Sequence, residues 1–129
     1  MLEIIIPGTP ITKKNSQQIV VNKKTGRPFI MPSSQYKKYR TVCLEHINYD
    51  GEPIDEPVNI KCVYYMPTKR RVDLVNLLEG SLDILQDAGV IQDDCMKIAY
   101  SHDGSRVLYD KENPRVEITI EKSPEDFPF

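Results

Sequence analysis

Apolar residues alternate with polar ones in some stretches of the chain and recur every three to four positions in others. The two periods divide it into strands and helices. Leu2–Ile6 is a short apolar run closed by Pro7-Gly8, which predicts a buried strand. "QIVVN" and "RPFIM" flank "KKTG", where Gly26 supplies a turn, and predict a hairpin. In "PSSQYKKYRTVCLEHIN" the positions Tyr36, Tyr39, Val42, Cys43 and Ile47 keep helical spacing behind serines suited to an N-cap. "VNIKCVYYMP" alternates Val58, Ile60 and Cys62 with Asn59 and Lys61, a half-buried strand that Pro67 stops. A second helix is expected between Asp73, a good N-cap, and Gly89, a good C′ residue. On it Leu74, Leu77, Leu78, Leu82 and Leu85 form one stripe, with Asn76, Glu79, Asp83 and Gln86 on the other side. "MKIAYSH" and "RVEITIE" alternate as strands, with a hairpin expected at Asp103-Gly104 and a turn at Asn113-Pro114. The sum is an α+β fold, about two helices packed on a mixed β-sheet.

Composition narrows the function. A chain of 129 residues has room for one core, and no apolar run approaches membrane-spanning length. "MLEIIIPGTP" lacks the basic start and long apolar stretch of a signal peptide, so a cytoplasmic location without membrane partners is expected. Cys43, Cys62 and Cys95 are odd in number and lack CxxC spacing, and the two histidines, His46 and His102, have no ligand-like spacing. Neither a disulfide framework nor a zinc site is indicated.

Net charge is −2, yet the charge is unevenly spread. Residues 1–71 hold 12 Lys/Arg against 6 Asp/Glu, and residues 72–129 hold 5 against 13. Where the halves meet stands "KRRVDLVNLLEGSLDILQDAGVIQDDC", residues 69–95. Lys69, Arg70 and Arg71 fall between a strand end and a helix start, where cations can follow a phosphate backbone, and Lys13, Lys14, Lys23 and Lys24 could extend that surface. Glu79 and Asp83 form an i, i+4 pair of like charges, and Asp73, Asp93 and Asp94 add carboxylates nearby in sequence. Hard divalent ions such as Mg²⁺ take one or two carboxylates plus water and phosphate oxygens, and polarise a phosphodiester held beside them. Each acid also has a plain structural reading: Asp73 as a helix cap, Glu79 and Asp83 as solvated surface, Asp93-Asp94 as a polar turn.

The segment "YMPTKRRVDLVNLLEGSLDILQDAGVIQDD" resembles the core of the RusA family of Holliday junction resolvases, mostly encoded by phages and prophages. That pattern is a basic run, then Asp-x-Asp-Asn-Leu-x-Lys, a helix with a further Asp, a Gly, and Asp-Asp. The resemblance extends weakly to "IPGTPITKKN" and to "RVEITI". It implies a homodimeric, Mg²⁺-dependent endonuclease, with Mn²⁺ as a substitute, that nicks four-way junction DNA symmetrically. It implies that residues 1–122 form the nuclease domain and 123–129 a tail. Position by position, Asp73 matches the first catalytic aspartate and Asp94 the last. Asn76, Asp83 and Asp93 match common positions, and Lys69, Arg70 and Arg71 match the basic run. Two positions depart: Val75 stands where the pattern has its second catalytic aspartate, and Glu79 where it has a catalytic lysine. Either activity is lost, leaving a catalytically silent junction-binding protein, or the missing carboxylate has moved one helical turn to Glu79. On the second reading Asp73, Asp94 and Glu79 are the catalytic, metal-organising acids, with Asp93 as a further ligand.

A length estimate bears on how these acids meet. The helix rises about 24 Å from Asp73 to Gly89, and five extended residues return at most about 17 Å. Asp94 is then expected level with Leu78 or Glu79, leaving an axial gap of about 7 Å to Asp73 unless the acids meet across a dimer interface. The ending "EKSPEDFPF" resembles the acidic, Pro-Phe tip of bacterial single-stranded-DNA-binding proteins, which implies partner docking through the terminal Phe-Pro-Phe.

Overall fold

A computed structural model describes residues 1–12, 17–32 and 34–123. Lys13, Lys14 and the Phe-Pro-Phe tail lie outside the described residues. The elements in chain order are β1 (Leu2–Pro7), β2 (Gln17–Val21), β3 (Pro28–Pro32), α1 (Ser34–His46), β4 (Val58–Met66), α2 (Leu74–Asp87), β5 (Ala99–Ser101), β6 (Arg106–Tyr109) and β7 (Arg115–Lys122). β2 and β3 pair as a separate antiparallel hairpin. Gly26, at φ 72°, makes the left-handed turn between them, a conformation that suits glycine. Among the described residues no helix is long and apolar enough to cross a membrane.

The main sheet follows from period-two burial. β7 is antiparallel to β1 on one side and to β4 on the other. Ile4 and Ile6, Val58, Ile60, Cys62 and Tyr64, and Val116, Ile118 and Ile120 are buried on a single face. Leu77, Ile84 and Leu85 of α2 and Tyr36 and Cys43 of α1 join them in one core. Each buried Val, Leu or Ile side chain among them contributes about 1.5–3 kcal/mol relative to exposure. The arrangement is the expected mixed sheet under two helices.

Four local features differ from expectation. β1 is an edge strand and only half buried, with Ile5 60 % exposed, because an antiparallel edge opens one face to water even where three isoleucines run together. No hairpin forms at Asp103-Gly104. Instead β5 and β6 both run parallel to β4, β5 beside Val58–Asn59 and β6 beside Val63–Met66. Between them side chains complete the ladder: His102 Nδ1 donates to the Ile60 carbonyl at 2.9 Å, and the Cys62 N–H donates to Ser105 Oγ at 3.0 Å. Gly104 sits in this bulge at φ 88°, where a Cβ would come within 2.7 Å of Lys61 Cδ.

α2 is rotated from the expected leucine stripe. Its buried stripe runs through Leu77, Gly80, Ser81, Ile84 and Leu85, while Leu74, Leu78 and Leu82 are only partly buried. Asn76, expected on the polar side, is buried. Small residues set this rotation. The space beside Gly80 is filled by the Tyr36 ring, 3.7 Å from where a Cβ would stand. Ser81 shares a 2.7 Å hydrogen bond with Tyr64, whose side chain is 1 % exposed. Val42 of α1, expected on the apolar face, is exposed. Arg40 joins the helices through two bonds to Asp87 Oδ2, at 2.8 and 3.0 Å. That pair is exposed and adds less than about 1 kcal/mol. Gly89 ends α2 at φ 74°, as expected of a C′ glycine.

Ser81→Ala strands the buried Tyr64 hydroxyl. Urea unfolding is expected to show a loss of about 1–3 kcal/mol, partly recovered when Tyr64→Phe is added. An unchanged midpoint for the single variant would show that this bond does not hold α2 on the sheet.

Candidate functional site

The basic run begins three residues after β4 ends, at the lip of the sheet. Lys69, Arg70 and Arg71 are all exposed, and among the described residues none makes an ion pair. Lys69 Nζ stands 5.3 Å from the centroid of the Tyr109 ring. Two clefts flank the run. One, of about 350 Å³, lies between the Thr9–Thr12 loop and Arg70 and Arg71, with Gln35 at its side. The other, of about 390 Å³, lies between Lys69 and Arg70 on one wall and Val107–Tyr109 on the other. Uncompensated cations around open clefts suit phosphate oxygens.

Asp73 occupies the N-cap position of α2, yet its side chain makes no capping bond. Its Oδ2 instead accepts from Asn76 Nδ2 at 3.3 Å, so the buried amide steadies an exposed carboxylate. Val75 is 66 % exposed, and Glu79, one turn on, is exposed as well. Asp83 is different. It is half-buried and near enough to Tyr36 that its charge, after burial itself, helps push that phenol up to about 12. Asp83 therefore belongs to the contact between the helices rather than to open surface. Asp93 and Asp94 are exposed, and the Asp94 N–H donates to Asp93 Oδ1 at 2.7 Å. Among the described residues the Asp94 and Glu79 carboxylates have no hydrogen-bond or ion-pair partner.

The placement of Asp94 differs from the length estimate. After Gly89 the chain does not run back along α2. Ile91 pairs in parallel with Ile54, the Ile54 N–H donates to Val90 O at 2.9 Å, and the Val58 N–H donates to Ile98 O at 2.9 Å. Three residues from Ile91 extend at most about 10 Å, so Asp94 stays level with the approach to β4. Asp73 is past the other end, because α2 rises about 12 Å from Ser81, opposite Tyr64, back to it. The length of β4, roughly 26 Å, separates the two levels within one protomer. Consistently, no three His, Cys, Asp or Glu side chains gather into a metal-holding group among the described residues. The donors present are hard carboxylate oxygens, and Mg²⁺ takes only one or two of them beside water and phosphate. The residues fit such an ion if each site draws carboxylates from two protomers.

Two features escaped the sequence reading. Tyr109 lies beside the basic run because β6 pairs with Met66, which no local pattern reveals. Arg115 lies 3.8 Å from the Tyr65 ring centroid and is neutralised by Asp110 at 2.9 Å and Glu117 at 2.7 Å. Its hydrogen bond holds the Asp110 carboxyl below the ordinary carboxylate range. That cation is spoken for, unlike Lys69–Arg71.

Among the described residues the α+β domain thus carries exposed cations without ion pairs at one sheet end and exposed carboxylates without ion pairs at both. The chain belongs to the endodeoxyribonuclease RusA family, whose model matches residues 7–121. It is similar to the crossover junction endodeoxyribonuclease RusA of Aquifex aeolicus (strain VF5), with 24 % identity over 123 residues, 95 % of this chain and 94 % of that one.

Cys95, next to Asp94, is exposed, while burial pushes the Cys43 and Cys62 thiols up to about 11 and about 12. Because Cys95 alone of the three is exposed, a disulfide reagent is expected to modify one thiol per chain quickly. The other two should follow only on unfolding; a second fast thiol would contradict the core described above.

Proposed function

We propose that the protein is a divalent-metal-dependent endodeoxyribonuclease that resolves four-way DNA junctions by paired symmetric nicks. It acts as a homodimer in which each site combines Asp73 of one protomer with Asp94 of the other. The family match over residues 7–121 supports the reaction class. The observation that carries the shared site is that Asp73 lies beyond the end of β4 while Asp94 stays beside its approach. A two-fold axis brings unlike ends of two protomers together twice, giving two equal sites for two cuts.

In this reading Asn76 orients the Asp73 carboxylate, and Asp93 fixes the loop of Asp94 through the latter's N–H. Glu79 supplies a further carboxylate on the solvent side of α2. Lys69, Arg70 and Arg71 hold backbone phosphates, and Lys13 and Lys14 are further candidates for phosphate contact. Mg²⁺, or Mn²⁺ in its place, supplies polarisation of the scissile phosphate when bound. The exposed Val75 favours a second reading, a junction-binding protein without cleavage, since the family pattern has an aspartate there.

Nicking of a labelled four-way junction with Mg²⁺ or Mn²⁺ separates the readings. Activity is expected from the wild type, with a loss of about 100-fold or more in Asp73→Asn or Asp94→Asn. Co-expressing the two variants should restore cleavage on one strand, because the mixed dimer holds one intact site. A silent wild type would leave only the binding reading. Active wild type without restoration would place each site inside a single protomer.

A further inference from the structure

We propose that Tyr109 is a stacking platform for a nucleobase freed at the branch point of the junction, an inference that rests on the junction reading above. Tyr109 is 48 % exposed at the end of β6, and Leu108 beside it is exposed too. The position is tied to the sheet. Tyr109 pairs with Met66, the last residue of β4, and the next N–H, of Asp110, donates to the Met66 carbonyl at 2.9 Å. Val107, two residues earlier, packs against the core and anchors the strand.

The ring shares its cleft with Lys69 and Arg70, and the cleft's volume of about 390 Å³ falls in the range of small-ligand sites. One wall is therefore apolar and aromatic and the other cationic. That pairing matches a nucleotide, whose base stacks while its phosphate meets the cations. Lys69, whose Nζ lies over the ring face 5.3 Å from the centroid, makes no ion pair among the described residues, so a stacking base can displace its flexible side chain toward the phosphate. Base pairs inside an intact duplex have no open face to offer, so the occupant is a base at a branch or on a single strand. The site would thus select branched over linear DNA, a task the phosphate contacts of Lys69–Arg71 cannot perform alone.

The experiment compares binding of a four-way junction and of linear duplex by wild type, Tyr109→Ala, Tyr109→Phe and Lys69→Ala over a range of salt, without divalent metal. Junctions carry 2-aminopurine at the branch nucleotides. Tyr109→Ala is expected to weaken junction binding about 5- to 150-fold, to leave duplex binding and the salt slope unchanged, and to abolish 2-aminopurine quenching. Tyr109→Phe keeps the ring and should match wild type. Lys69→Ala should lower the salt slope by about one phosphate contact. Two results overturn the inference: wild-type junction affinity in Tyr109→Ala, or a fall in its salt slope equal to that of Lys69→Ala, meaning that the ring only positions the lysine. If the wild type fails to prefer junctions at all, the junction reading falls first and takes this inference with it.

Discussion

The parallel attachment of the chain after α2 to the approach and body of β4 governs everything else in this protein. Because Ile91 pairs with Ile54 and β5 with Val58–Asn59, α2 must run the length of β4 in the opposite direction. A helix returning over its own strand before a parallel pairing is the ordinary crossover of a mixed sheet. Its consequence is electrostatic. The carboxylate that opens α2 and the pair that follows it are held at the two ends of the same strand. The buried bond between Tyr64 and Ser81 locks that relation, since α2 cannot slide along β4 without breaking it.

Charge is distributed on the same frame. Some ions are paired: Arg115 with Asp110 and Glu117 against the Tyr65 ring, Arg40 with Asp87 between the helices. In the segment that joins β4 to α2 the protein leaves its ions unpaired among the described residues, although Asp73 follows Arg71 by only two residues. Unpaired charges of both signs this close would readily satisfy each other on a passive surface. Their separation agrees with the polyanionic substrate proposed above, whose phosphates the cations would meet.

Much of this was readable from the chain alone. Helical spacing and the stops at Pro67 and Gly89 place α1, β4 and α2, and the basic run and acids stand at positions fixed by sequence. What escaped depends on pairings between distant segments. A strand of Ala99–Ser101 carries no sign of whether it turns back on itself or joins β4 in parallel, and that choice decides where Asp94 goes. The rotation of α2 was hidden for another reason: ranking by hydrophobicity favours five leucines, whereas contact favours Gly80 and Ser81, whose small size admits Tyr36 and Tyr64. Asn76 reads as a surface amide until its bond to Asp73 is seen.

Two ends of one strand can serve one reaction only if a second copy closes the distance. A Mn²⁺-soaked crystal of the protein measures this most directly through the anomalous signal of the ion. The account predicts two equivalent ions per dimer, each between Asp73 of one protomer and Asp94 of the partner subunit. An ion held by both carboxylates of a single chain, or a dimer that keeps the two carboxylates apart on every face, would contradict it.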